Sequence, residues 1–265
     1  MIVQNKNNTA LKTEMPVTHK LWVMLERLET LREKLHLMKL SLAKSVGIEA
    51  GMKVLDAGCG QGTFTVCIAK LVGRTGRVTA VDISDESLDA LNQNLDKYRV
   101  RSRVTFVKTD AAELPNFFAP ESFDMCVSYR LIEELEQPKK LPRIVSSMAQ
   151  IIRRKGTVVL LELSTETHSV AEENLIRLHR DIGNDYFPPQ RKILSCLKAA
   201  DLSNVNVETL PTKVSYSGKV FLESSLSQDE VWPEFEERIK MELWPSIEHY
   251  GMKYPNIKKY AGQKP

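Results

Sequence analysis

The 265-residue chain is 42% apolar and 27% charged with a formal charge of +3, the profile of an ordinary globular protein of one large domain, with or without an insertion. So small a charge supplies neither a nucleic-acid footprint nor a membrane-surface tether. No apolar run approaches the roughly 18 residues that span a bilayer, and the polar stretch Met1–Thr13 lacks the apolar core of a signal peptide.

Cys59, Cys67, Cys126 and Cys196 lie far apart and form no C-x-x-C pair. Reduced thiols in a cytoplasmic protein, and no zinc or other metal, are therefore expected. Met1–Thr13 reads as a frayed end. From Leu21 to Leu42, apolar residues fall at 21, 25, 28, 31, 35, 38 and 42, one stripe of a long amphipathic helix. Glu29, Arg32, Glu33 and Lys39 are assigned to its outer face. Gly47 and Gly51 end this segment.

Lys53–Gly62 then runs from an aliphatic stretch through Asp56 to glycines at 58, 60 and 62. An apolar helical pattern follows through Phe64, Ile68, Leu71 and Val72. This order predicts a buried strand, a glycine turn and a helix start. Such a turn brings a ligand against bare backbone, and the first turn of the helix leaves N–H groups free to meet it.

Arg77–Asp82 predicts a second buried strand that also ends in an acid, with Ser84 as the cap of a helix bearing Leu88, Leu91, Leu95 and Tyr98. A third strand, Arg103–Val107, leads to Lys108-Thr109-Asp110-Ala111. The fourth, Phe123–Ser128, is followed by a helix over Pro138–Arg154, and the fifth is Thr157–Leu163. Strands with short apolar cores, separated by helices, imply an α/β fold whose parallel sheet is covered on both faces. Later, Ala171–Ile182 and Pro189–Ala200 read as helices and Val205–Leu210 as a strand. In Ser217–Tyr254, Phe235, Ile239, Leu243 and Ile247 recur every fourth residue, and Pro245 must kink or split that helix. Asn256–Gly262 reads as a last strand.

Asp56, Asp82 and Asp110 thus stand at successive strand ends, on the carboxyl edge where doubly wound sheets bind ligands. Ionised carboxylates only accept hydrogen bonds. A ligand offering an ammonium, two vicinal hydroxyls and an aromatic amine would satisfy them in turn, and S-adenosylmethionine offers that set.

On these residues the chain resembles the class I S-adenosylmethionine-dependent methyltransferases, in particular the small-molecule type grouped with the quinone-ring C-methyltransferases. LDAGCGQG at Leu55–Gly62 resembles the family's glycine signature, and VTAVDIS at Val78–Ser84 its second-strand motif. Thr109-Asp110-Ala111 resembles the adenine-contact segment and Phe123–Ser128 the fourth-strand motif.

The resemblance implies a Rossmann-like, doubly wound, seven-stranded sheet whose last strand is antiparallel. It implies that Asp56 accepts from the methionyl ammonium, that the backbone at Gly58, Gly60 and Gly62 lies along the methionyl portion, and that Asp82 holds the ribose. Ile83 would pack beside the adenine, Asp110 and Ala111 would bond its edge, and Ser128 would flank the sulfonium. The layout expected is a tail and helix over 1–45, a cofactor-binding domain over 46–216 and 255–265, and a helical insertion over 217–254 that lids the acceptor.

The acceptor side carries less signal. Many relatives in that family place a histidine-rich turn after the fourth strand, and this chain has Tyr129–Glu134 there, so no catalytic residue is assigned. Tyr129 and Arg130 either face the substrate or, as the preferred reading, serve as a packing tyrosine and a surface arginine. His168, His179 and His249 read as solvated or capping in preference to a base. Tyr186 and Phe187 either line a pocket or anchor a loop. Trp232 and Trp244 read as core of the inserted helices, and Glu236 and Glu237 as a solvated face.

A nicotinamide dehydrogenase is disfavoured because the third glycine stands at 62 and not 63. A nucleic-acid methyltransferase is disfavoured by the charge and by Ser128–Leu131, which lacks a Pro-Pro-aromatic motif. The other readings kept are a cofactor-binding scaffold without catalysis and an RNA or protein methyltransferase. A small-molecule acceptor is the expected partner, with no membrane span, and oligomeric state is left open.

Overall fold

The computed structural model describes the backbone of residues 17–226 and 236–265, with side chains over 27–224 and 237–265. Its centre is a seven-stranded sheet. The strands are β1 (Lys53–Ala57), β2 (Arg77–Asp82), β3 (Val104–Lys108), β4 (Phe123–Tyr129), β5 (Ile152–Leu163), β6 (Ser203–Leu210) and, after a short β7 (Ser215–Tyr216) and β8 (Met252–Lys253), β9 (Ile257–Gln263). The order across the sheet is β3-β2-β1-β4-β5-β9-β6. The first five strands pair in parallel, and β9 runs antiparallel to both β5 and β6. The doubly wound sheet with one reversed strand is the expected architecture.

Alternation along the strands divides the interior in two. Val54, Val127, Leu161 and Leu163 face one side with α1 (Val17–Ser45) and α2 (Thr63–Val72). Leu55, Cys126, Val158 and Leu160 face the other, against α4 (Leu141–Ile151) and α6 (Gln190–Ala199), while α3 (Leu88–Lys97) and α5 (Val170–Arg177) complete the cover of the first. The continuous apolar strand cores are needed because both faces are buried.

Several boundaries differ from expectation for physical reasons. The second-strand helix begins at Leu88, not after Ser84, because the Ser84 hydroxyl accepts from the Glu86 N–H (3.1 Å) and holds a separate turn. β5 starts at Ile152, before Thr157, since Ile152 already pairs with Phe123. The preceding helix is confined to Leu141–Ile151, with Pro142 in its first turn, where a missing N–H costs nothing.

Lys39 overturns its assignment to the outer face. With His36 and Ala43 it turns toward α2, and its ammonium donates to Thr63 Oγ1 (2.7 Å). A long apolar stem lets a lysine do this while its charge meets a polar partner. Glu29, Arg32 and Glu33 are exposed as expected.

The insertion leaves the carboxyl end of β6 and returns through β8 to the start of β9, where Leu210 pairs with Ile257. It holds α7 (Gly218–Leu226), α8 (Glu236–Arg238), a π-helical turn at Ile239–Leu243, and α9 (Trp244–Tyr250). Pro245 sits in the first turn of α9, so the helix is split there. Ile239, Leu243 and Ile247 are buried, Trp244 packs against the same core, and Glu237 is exposed. Trp232, Phe235 and the Glu236 side chain lie outside the described residues. The insertion is tied down by Arg27, which pairs with Glu223, and by Asn174, which donates to the Gly251 carbonyl (2.9 Å).

Candidate functional site

A cavity of about 210 Å³ opens at the carboxyl edge of β1, β2 and β3. Gly58, Gly60, Asp82, Ile83, Asp110 and Ala111 line one side of it, six of the nine residues singled out from sequence. The register explains the convergence: Ala57 lies level with Val81 on one side and Ser128 on the other, so the strand-end loops share one edge.

The turn is held by the acid of the next strand. Asp82 accepts from the Gly60 N–H (2.8 Å) through one oxygen and from the Ser84 N–H (3.2 Å) through the other. The Gly58 and Cys59 N–H groups both donate to the Val81 carbonyl. Gly58 has φ +73, and a Cβ there would stand 2.7 Å from the Leu131 side chain.

Gly62 has a different cause from the one the motif suggests. It does not line the cavity. Its φ is +72, and a Cβ would come 2.1 Å from Leu91 Cδ1, so the position is set by packing against α3. Ile83 is 63% exposed, an apolar wall beside the cavity. At Asp110, burial opposes ionisation but is outweighed by Lys140 (2.7 Å), the Ala112 N–H (2.9 Å) and Arg143, which hold the carboxyl below its ordinary value.

Asp56 and Ser128, at the ends of β1 and β4, do not line the cavity. Asp56 is 1% exposed; its Oδ2 accepts from the Thr65 hydroxyl at 2.6 Å, and Oδ1 has no partner among the described residues. Burial pushes its carboxyl up to about 7, opposed by the Thr65 bond and reinforced by Asp82. Ser128 Oγ is also buried without a partner. Buried polar atoms without partners are uncommon.

The turn after β4 overturns two further expectations. Arg130 is no surface residue. It has φ +62, its side chain is 15% exposed, and its Nε donates to Glu133 Oε2 at 2.9 Å. His179 is neither solvated nor a cap: Nδ1 faces Asp185 at 2.8 Å, which leaves Nε2 to accept from Arg130 Nη2 at 3.2 Å. Glu133, His179 and Asp185 converge as metal ligands do, but the cation they face is the Arg130 guanidinium.

Tyr129 stacks on Phe64 at 5.0 Å, with the Lys39 ammonium 5.7 Å from its ring and its hydroxyl buried without a partner. Burial and the nearby Arg130 pull the Lys39 ammonium down to about 8. Tyr216 and Tyr254, from the two ends of the insertion, feel the same Arg130 charge. Lys39, Arg130 and three tyrosines thus gather on the α1 face.

The sequence reading missed Lys39, Thr65 and the cavity wall of Leu131, Leu135, Lys140 and Ile144. For Lys39, the i, i+3, i+7 run of His36, Lys39 and Ala43 was the available signal. The wall carries no motif, since it is made by loop packing.

A family described as a methyltransferase domain matches residues 48–192, more than half of the chain. The chain belongs to the methyltransferase-domain family. Among curated proteins, it is similar to the ubiquinone/menaquinone biosynthesis C-methyltransferase UbiE of Psychromonas ingrahamii, 33% identical over 120 residues that cover 45% of each chain. It is likewise similar to the demethylmenaquinone methyltransferase of Staphylococcus aureus, 34% identical over 131 residues covering 49% of this chain and 51% of that one. The chain spans about half the length of these relatives.

A solved structure of phosphoethanolamine N-methyltransferase 2 from Haemonchus contortus, in complex with S-adenosyl-L-methionine, superposes with TM-score 0.57 at 19% identity. It covers 86% of this chain and 52% of that one. At that identity the likeness is one of fold. Among the described residues, no helix is long and apolar enough to cross a membrane.

Proposed function

We propose that this methyltransferase-domain protein binds S-adenosylmethionine in the crevice over β1–β3 and transfers its methyl group to a small-molecule acceptor. The observation that carries this is the convergence, at one 210 Å³ cavity, of bare glycine backbone, two strand-end acids and an exposed isoleucine. Near the end of β1, the strand that leads into the glycine turn, Asp56 keeps a buried oxygen without a partner among the described residues. A carboxylate without a cation suits the methionyl ammonium, the remaining lone pairs of Asp82 suit the ribose hydroxyls, and Ile83 suits the adenine face. Asp110 and Ala111 are placed for the adenine edge. Gly58 and Gly60 lie along the methionyl chain, with Gly62 supporting the turn from behind.

The bound cofactor supplies a methyl group already activated by its sulfonium. The protein's share is alignment of the acceptor in line with the S–CH₃ bond and exclusion of water. Residues 217–254 are suited to act as the lid. They start and end at the carboxyl edge, and the tyrosines flanking them lie beside Arg130 and Tyr129. The names of the relatives make hydroxylated ring compounds of the quinol type the first acceptors to test. The reduced, buried cysteines suit a cytoplasmic protein.

The test is calorimetric titration of the intact protein with S-adenosylhomocysteine. Asp82→Ala is expected to lower affinity by about 1–3 kcal/mol, because two ligand hydroxyls lose their acceptor. Undiminished binding in that variant would remove Asp82 from the site. Binding of S-adenosylmethionine with no methyl transfer to any acceptor in a quinol, catechol and amine panel would favour the scaffold reading.

A further inference from the structure

On the opposite side of the Leu131–Leu135 turn lies a second cavity of about 290 Å³ that shares no lining residue with the first. Its floor is the α6 face of β5 and β9, presenting Glu162, Lys258 and Tyr260. Its walls are Tyr186 and Phe187, with Pro188 and Pro189 behind them. Its volume is near the lower end of small-molecule sites.

Each charged group here is spoken for except one. Lys258 donates to Glu166 (2.8 Å) and Thr209 (3.0 Å). Glu133 accepts from Arg130 Nε (2.9 Å) and from the Leu163 N–H (3.0 Å). Glu162, 5% exposed, accepts a long bond from the Ile132 N–H (3.3 Å) and feels the neighbouring Glu133 N–H, and its Oε2 has no partner among the described residues. Three carboxyls, Glu133, Glu162 and Glu166, thus line the cavity beside two cations, Arg130 and Lys258, and Glu162 is the one without a cationic partner among the described residues.

The geometry points to a binding site for a small organic ammonium ion, with Glu162 as its counter-charge and Tyr186, Phe187 and Tyr260 as its aromatic walls. An ammonium centre is drawn both to a carboxylate and to ring faces, and the attraction is stronger where water is excluded.

In the free protein, burial and the neighbouring Glu133 raise the proton affinity of Glu162. The charged groups around it are Glu133 and Arg130 from the turn after β4, Glu166 beyond β5, and Lys258 on β9, with Tyr260 beside them. An entering ammonium ion favours the ionised form of Glu162, and any proton the carboxyl held leaves to solvent. Binding is therefore expected to tighten as pH rises.

The experiment is calorimetry on the intact protein with phenethylammonium, tetramethylammonium and the neutral analogue 2-phenylethanol, repeated in buffers of different ionisation enthalpy. Expected are phenethylammonium binding at least tenfold tighter than the alcohol, proton release on binding, and a tenfold or greater loss in Glu162→Gln. Phe187→Ala should weaken both ammonium probes, while thermal unfolding reports that each variant is folded. Binding of S-adenosylhomocysteine should be unchanged in Glu162→Gln, so failure here and failure of the cofactor assignment are read separately. Equal affinity for ammonium and alcohol, no ammonium binding at millimolar concentration, or full retention in Glu162→Gln would each overturn the proposal.

Discussion

Replacing Asp56 by asparagine tests the chemistry of the glycine turn with the protein's own pH dependence. The carboxyl is 1% exposed, has one hydrogen bond from Thr65 and one oxygen without a partner. Burial raises it from 3.8 to about 7. The folded state therefore holds one more proton than the unfolded chain between about pH 4 and pH 7. Stability from this group falls as pH rises through that window and is level above it. At about 1.4 kcal/mol per unit, the full penalty at pH 8 is about 4 kcal/mol.

Asparagine removes the titration, keeps an acceptor for Thr65 and buries an amide N–H₂ without a partner, a cost of about 1–3 kcal/mol. Asp56→Asn is thus expected to be more stable than the parent by about 1–3 kcal/mol at pH 8, and less stable by up to about 2 kcal/mol at pH 4.5, where the parent carries about 1 kcal/mol of the penalty. Urea unfolding of both proteins from pH 4.5 to 8.5 gives the difference directly. The same variant should lose S-adenosylhomocysteine binding at pH 8, whereas the parent's affinity should fall by about tenfold per pH unit below 7. A stability difference that does not change with pH would refute the raised carboxyl, and undiminished ligand binding would refute its role.

Two further substitutions probe the frame around the site. Gly62→Ala combines a left-handed backbone with a Cβ 2.1 Å from Leu91 Cδ1, and is expected to cost about 2–4 kcal/mol. Adding Leu91→Ala should cost less than the sum of the two, as a chemical-denaturation double-mutant cycle would show; strict additivity would deny the contact. Glu133→Ala leaves the interior Arg130 without its carboxylate and the Leu163 N–H without an acceptor. A loss of about 3–5 kcal/mol is expected, partly restored by adding Arg130→Met. A destabilisation below 1 kcal/mol would show that the pair is screened by solvent.

The cofactor half was legible because its causes are local. A sharp turn requires glycines within five residues of one another, and an acid at a strand end has its place as soon as the strand is placed. Asp56, Asp82 and Asp110 could therefore be put on one edge without coordinates. Gly62 was found by the same motif yet for another reason, since its constraint comes from Leu91 on a different helix, nearly thirty residues away. Lys39, Arg130 and His179 were misread because burial of a charge depends on partners brought from far along the chain. Lys39 meets Thr63, and Arg130 meets His179 from beyond α5. Periodicity registers only the apolar stripe, so a polar residue beside it defaults to solvent.

These long-range partners also explain why the two sides of β4 and β5 differ in character. Side chains alternate across the sheet, so Tyr129 and Leu161 face α1 while Ser128 and Leu160 face α6. On the α1 side, Lys39 and Arg130 bring positive charge to a cluster of tyrosines, a setting for an acceptor that becomes anionic as it loses a proton. On the α6 side, Glu162 presents a carboxyl with no cation, a setting for an ammonium ion. Glu133 stands between them, holding Arg130 through one oxygen and the β5 backbone through the other. Occupancy of the α6 cavity would ionise Glu162 beside Glu133, and a second negative charge there would tighten the hold on Arg130. Methyl transfer to an acidic acceptor, measured with and without phenethylammonium at fixed S-adenosylmethionine, would register that coupling in the parent and lose it in Glu162→Gln.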